Sequence, residues 1–120
     1  VNDVEATLDF YRRAFGFERR FLDEGKNYGE LETGETRLAF AGRDFVRTLM
    51  PVDLAPSGPG APAAPMEIGF VTPDVEPAFE RALAAGAIEI KRPQAKPWGQ
   101  IVGYVRDPNG FIIEICSPVP

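Results

Sequence analysis

The sequence predicts an α+β fold made of two similar modules, and three observations carry that prediction. Residues 3–16 (DVEATLDFYRRAFG) and 74–86 (DVEPAFERALAAG) both open on Asp-Val-Glu, run through an amphipathic stretch and stop at a glycine. Strand-like segments follow each copy. Between the copies, residues 51–65 hold five prolines and two glycines, a composition that builds no regular element and reads as a linker. A repeat of this kind means modules that pack together. At 120 residues they share one structural domain, with 1–50 as the first module and 66–120 as the second. Their junction is the expected place for a ligand cavity.

Each element has a local cause. Asp3 is a candidate N-cap and Glu5 stands in the first turn, where the helix dipole favours negative charge. Val4, Leu8, Tyr11 and Phe15 fall on one helical face, and Gly16 suits a left-handed stop, so 4–15 is a helix. Residues 17–23, 28–32 and 36–41 alternate or carry β-formers between turn-rich pairs, which predicts a three-stranded antiparallel meander. Residues 42–50 leave a short helical turn and an irregular cover both open.

The second module starts with a strand over 66–72. Asp74 caps a helix whose apolar face is Val75, Phe79, Ala82 and Leu83, and Gly86 ends it. Pro77 falls in the first turn, where proline is tolerated. A strand over 87–91, a Pro-containing loop over 92–98, a strand over 100–106, a turn at Asp107-Pro108-Asn109-Gly110 and a strand over 111–116 complete it. The second module therefore reads βαβββ. The first reads αβββ, and symmetry predicts its opening strand just before Val1.

Composition excludes several classes. Lys and Arg number 13 against 18 Asp and Glu, a net charge of −5, so a phosphate-binding basic face is not expected and nucleic acid is not the predicted partner. No apolar run approaches membrane-spanning length. One cysteine, Cys116, permits no intrachain disulfide and suits a reducing, cytoplasmic setting. It lies in an apolar strand with nothing beside it to lower its pKa, so it reads as a small hydrophobe. There is no histidine, which removes the commonest general base and transition-metal ligand, and with it Ser–His and Cys–His pairs.

The run Asn2-Asp3-Val4 leading to Phe10-Tyr11-Arg12 and Phe15-Gly16-Phe17 resembles the vicinal oxygen chelate superfamily. So do Asp74-Val75, Ala85-Gly86-Ala87, Trp98-Gly99-Gln100, Tyr104, and Asp107-Pro108-Asn109-Gly110-Phe111 leading to Glu114. That superfamily includes glyoxalase I, extradiol dioxygenases and bleomycin-type resistance proteins. The resemblance implies curved mixed sheets around a cavity. In metal-using members four positions, on the first and last strands of each module, converge on one divalent ion. One falls before Val1, one falls on or near Leu38, and the others match Glu67 and Glu114.

Two carboxylates without nitrogen or sulfur partners are a poor cage for zinc or iron. They suit weak, water-completed binding of magnesium, manganese or calcium. An extradiol dioxygenase needs two histidines and is not expected. The resemblance thus implies a small-molecule binding protein of the bleomycin-resistance type with no complete metal site and no cofactor. The rival is a divalent-metal isomerase or lyase of the glyoxalase I type, in which Glu67 or Glu114 ligates or shuttles a proton.

Glu114 sits among Ile112, Ile113, Ile115 and Cys116, so its carboxyl needs a partner. It is the candidate catalytic group, and with Glu67 the candidate metal ligand. Trp98, Gln100, Tyr104, Phe40 and Leu38 are the candidate ligand-binding residues, and ordinary core is the alternative for Phe40. Tyr28 and Glu30 alternate on one strand face, reaching either the cavity or solvent, while Arg37 and Arg47 read as surface or structural charges. A homodimer is the expected assembly, since related proteins often pair modules across two chains. Interaction without any ligand is a third reading.

Overall fold

A computed structural model describes all residues from Val1 to Pro120. Helix α1 (Val4–Phe15) begins where the Asp3 carboxylate accepts the Ala6 N–H at 2.9 Å, and it ends where Gly16, at φ 76°, donates to the Arg12 carbonyl. Only a residue tolerant of the left-handed region closes a helix this way without strain. Strands β1 (Arg19–Leu22), β2 (Tyr28–Leu31) and β3 (Leu38–Ala41) follow as an antiparallel meander in that spatial order. The segment that the sequence leaves open forms α2 (Arg43–Leu49).

The second module comprises β4 (Glu67–Val71), α3 (Val75–Ala84), β5 (Ile88–Ala95), β6 (Ile101–Arg106) and β7 (Ile112–Cys116). Its sheet runs β4-β7-β6-β5, with β4 parallel to β7 and the other pairs antiparallel. The parallel pair is possible because α3 carries the chain across the sheet face.

Three local expectations need correction. Residues 92–95 belong to β5 rather than to a loop, with Pro93 inside the strand. The strand lies at the sheet edge and is interrupted twice in register, between Glu89 and Lys91 and between Lys91 and Gln94, which is where a residue lacking an N–H fits. Asp74 occupies the N-cap of α3, but its side chain makes no cap hydrogen bond. Its backbone N–H instead takes the Thr72 hydroxyl at 3.2 Å. The first strand is also shorter than expected: Phe17 packs against the core, and although the Glu18 carbonyl accepts the Glu32 N–H at 2.8 Å, the strand itself begins at Arg19.

The core lies between the helices and the inner faces of the sheets. Tyr11, Phe10, Leu8, Leu31, Phe79, Val105, Ile113 and Ile115 are fully enclosed. Tyr11 stacks on Phe40 at 5.1 Å, and Phe15 and Phe17 meet Phe70 of the second module at 4.8 and 5.0 Å. Aromatic contact across the junction makes the two modules one hydrophobic unit. The two long helices also close each other's ends. Arg81 of α3 donates to the Arg13 carbonyl at 2.8 Å, and Arg13 of α1 donates to the Ala85 carbonyl at 3.0 Å. Each cation sits where the other helix's carbonyls and dipole are negative.

The two sheets are not hydrogen-bonded to one another. Val1 makes a single parallel rung beside β3, donating to the Ala41 carbonyl at 2.8 Å and accepting from the Arg43 N–H at 2.9 Å. In the second module Thr72, which like Val1 stands two residues before the capping aspartate, makes the matching bond to the Cys116 carbonyl. Val1 thus holds the last position of the strand that symmetry predicts. Beyond it the edges of β3 and β4 flank an apolar groove of about 270 Å³, bordered by Leu38–Ala41, Met66–Ile68, Phe111 and Ile112.

Candidate functional site

Alternation along β7 decides which residues face away from the helices. Ile113 and Ile115 turn inward and are buried, so Ile112, Glu114 and Cys116 share the opposite face. Register then places Gly69 of β4 on one side of Glu114 and Tyr104 of β6 on the other, while Glu67 pairs with Ile112. Gly69 leaves the carboxylate open from above: a methyl group there would lie 3.9 Å from Glu114 Oε1, at ordinary contact distance. Glu67, Glu114, Tyr104 and Cys116 form one polar cluster on this sheet face, with Lys91 of β5 opposite Tyr104 at its edge.

The electrostatics of the cluster follow from its neighbours. Desolvation beside the sheet raises the Glu67 pKa first, and the neighbouring Glu114 carboxyl raises it further. The Tyr104 hydroxyl faces Glu114 Oε2 at 3.4 Å, and desolvation with the Glu114 and Glu67 charges raises its pKa. Burial, again joined by Glu114 and Glu67, lifts the Cys116 thiol to about 11. That leaves the sulfur protonated at neutral pH, as its apolar strand implies, and unsuited to nucleophilic attack. Neither Glu67 nor Glu114 is within ion-pair distance of any arginine or lysine.

The matching face of the first sheet is different chemically. Glu30 pairs with Ala39 as Tyr104 pairs with Glu114. By register the counterpart of Glu114 is Ala39, the residue next to Leu38. Since neighbours on a strand face opposite ways, the single step matters: Leu38 packs against the core from the helix side. Glu30 is the acid of this face, but it is neutralised by Arg20 at 3.4 Å and Arg37 at 3.8 Å and accepts the Tyr28 hydroxyl at 2.9 Å.

The remaining candidates separate. Phe40 is 6% exposed and stacked on Tyr11, so it is core that borders the groove only by its edge. Trp98 is 60% exposed in the β5–β6 loop, and its indole N–H donates to the Gln100 side-chain oxygen at 2.8 Å. The Gln100 amide donates in turn to the Ser117 carbonyl at 2.8 Å. These two residues brace the C-terminal tail, and no single cavity encloses them with Tyr104, Phe40 and Leu38.

The donor set does not fit a four-ligand metal centre. No group of three Cys, Asp or Glu side chains is placed to hold a metal ion, and Ala39 supplies no donor from the first sheet.

Two arginines carry structure that their sequence context did not signal. Arg106 donates to the carbonyls of Gly110 at 2.9 Å, Pro59 at 3.1 Å and Ala61 at 2.8 Å, and Arg43 to those of Leu54 at 3.1 Å and Ala55 at 2.9 Å. The proline-rich linker is thereby held at two points, one from each module. Backbone carbonyls have no side-chain signature, so nothing in the sequence could have flagged these pairs.

The βαβββ repeat, the parallel β4–β7 pair and an acid on the outward face of the last strand define a class. The profile of the Glyoxalase/Bleomycin resistance protein/Dioxygenase superfamily matches residues 1–115, and the chain belongs to that superfamily. Among solved structures it is similar to a glyoxalase-related enzyme from Fulvimarina pelagi, with 26% identity and a TM-score of 0.85 over 98% of this chain and 82% of that one. A glyoxalase/bleomycin resistance protein/dioxygenase family enzyme from Burkholderia phytofirmans shares the fold at 21% identity, with a TM-score of 0.76 over 100% of this chain and 93% of that one. The Bacillus subtilis protein YraH, itself uncharacterized, is 25% identical over 96% of this chain and 90% of its own length.

Proposed function

We propose that this protein binds a small planar or cationic compound against the open face of its second sheet, without a complete metal site. The observation that supports this most is the Glu67–Glu114 pair beside Tyr104, two carboxyls in contact with no cation partner of their own. A cation brought to such a pair offsets the repulsion between the two acids, while Tyr104 offers an aromatic face and a hydroxyl. Superfamily membership supports the small-molecule reading in general terms. A homodimer that covers the open face accords with the exposed Val71 and Trp98, and a cytoplasmic location with the single thiol. No helix is long and apolar enough to cross a membrane.

The test is a titration with phenyltrimethylammonium, a cation that does not titrate, against benzyl alcohol as its neutral comparator, followed by NMR shifts. The cation should bind more tightly, its affinity should rise with pH as Glu67 ionises, and Glu114→Gln should weaken it about tenfold. Equal binding of the two probes, or no dependence on Glu114, would overturn the reading. Near-stoichiometric divalent metal that disappears in Glu114→Gln would replace it with metal-assisted isomerase or lyase chemistry. Light scattering reports the assembly, and a clean monomer would count against a cavity shared between chains.

A further inference from the structure

A second cavity, of about 450 Å³, lies beneath the proline-rich linker, where it crosses the ends of both sheets. Much of its wall is apolar, with Val46 of α2, Leu54 and Pro56 of the linker, and Phe111 just before β7 among the lining residues. Arg43 enters it from the first module and Arg106 from the second. Glu67, Glu114 and Tyr104 are not part of it.

The charge balance of this cavity is unlike that of the rest of the chain. Acids outnumber Lys and Arg by 18 to 13, yet no Asp or Glu lines the cavity. Neither Arg43 nor Arg106 takes part in an ion pair, and both side chains are half-buried. Their partners are backbone carbonyls and the Ser57 hydroxyl, at 3.2 Å from Arg43. Neutral acceptors hold a guanidinium in place without cancelling its charge. A guanidinium also has five N–H donors. Arg43 makes no hydrogen bond through Nε, so donor capacity remains. Two partly desolvated cations facing one apolar space attract an anion more strongly than the same charges would in water.

We propose that this cavity is a second binding site, for a small organic anion: a carboxylate carried on an apolar body. The carboxylate would lie toward Arg43 and Arg106, and the apolar part against Leu54, Val46 and Phe111. The volume falls within the range of small-molecule sites. The proposal is independent of the carboxyl pair on the sheet face, which selects the opposite charge.

The experiment titrates the whole chain with sodium benzoate and, separately, with benzyl alcohol, by calorimetry and by NMR shifts of linker and α2 residues. Benzoate should bind at one site per chain, at least about tenfold more tightly than benzyl alcohol, and more weakly as salt rises. Arg43→Gln should weaken benzoate about tenfold. Ala64→Phe, which fills the cavity and keeps both arginines, should abolish binding, with circular dichroism checking that each variant is folded. No saturable benzoate binding to the unmodified chain, equal binding of the two probes, or benzoate binding that survives in folded Ala64→Phe would each overturn the proposal.

Discussion

The Tyr11 hydroxyl donates a 2.8 Å hydrogen bond to Asp107 Oδ2, joining the first helix to the β6–β7 turn across 96 residues of chain. Asp107 is fully buried and also accepts the backbone N–H groups of Asn109 and Phe111, while Asn109 reaches the Thr7 hydroxyl at 3.1 Å. The two most distinctive stretches of the sequence, Phe10-Tyr11-Arg12 and Asp107-Pro108-Asn109-Gly110, therefore share a junction. Burial and the neighbouring carboxylate push the Tyr11 phenol up, so it remains a donor throughout the accessible pH range.

Tyr11→Phe should destabilise the fold by about 1–3 kcal/mol, because the buried Asp107 oxygen loses a donor while the ring keeps its stacking on Phe40. Urea denaturation measures this, and an unchanged midpoint would show that the bond adds nothing to the modules' association.

Gly29→Ala should cost about 1–3 kcal/mol. Gly29 is buried in β2 directly under α1, and a methyl group there would stand 2.6 Å from Leu8 Cδ1 and 3.1 Å from Val4 Cγ1. Leu8 is fully enclosed and has nowhere to retreat, so helix and sheet must separate. Thermal unfolding reads the loss; a variant as stable as the parent would mean that the core repacks freely.

Stability should depend on Glu67 with a definite sign. Its folded pKa is raised, so the folded state binds the proton more tightly than the unfolded chain does. That stabilisation is present at low pH and is lost as pH rises through the raised pKa. Glu67→Gln keeps a donor toward Glu114 and removes the titration. The variant's stability relative to the parent should therefore grow on raising the pH from about 4 and then level off. Denaturation curves at several pH values check this, and a pH-independent difference would contradict the carboxyl pair.

Arg106→Met should release the linker from the second module. Elastase cleavage of the Ala63–Ala64 bond should accelerate severalfold in the variant, with little change in far-ultraviolet dichroism. Equal cleavage rates would show that Arg43 alone holds the segment.

What the sequence made legible was local. Asp3 and Gly16 bound α1 because caps act on adjacent backbone, and the repeat of Asp-Val-Glu marks both helices. Glu114 stands out in the sequence because a carboxyl in an apolar strand needs a partner, whereas Glu67 is marked only by the family resemblance. Register was not legible. Leu38 and Ala39 are adjacent and both apolar, and only the pairing of β2 with β3 decides which one matches Glu114. Pro93 reads as a strand breaker until β5 is known to lie at an edge. The hydrogen bond from Gln100 to the Ser117 carbonyl was not legible either, because that carbonyl is 17 residues along the chain and carries no sequence mark.

The presence of Ala39 where the second sheet has Glu114, and the pairing of Glu30 with arginines, bear on how a duplicated scaffold treats a guest. Two identical halves would accept a molecule equally well either way round. Here one half presents an uncompensated carboxyl pair, and the other an acid already matched by Arg20 and Arg37. A compound lying across both sheets meets unlike ends, so it has one favoured orientation. In this chain the duplication supplies shape, and the divergence of its copies supplies direction.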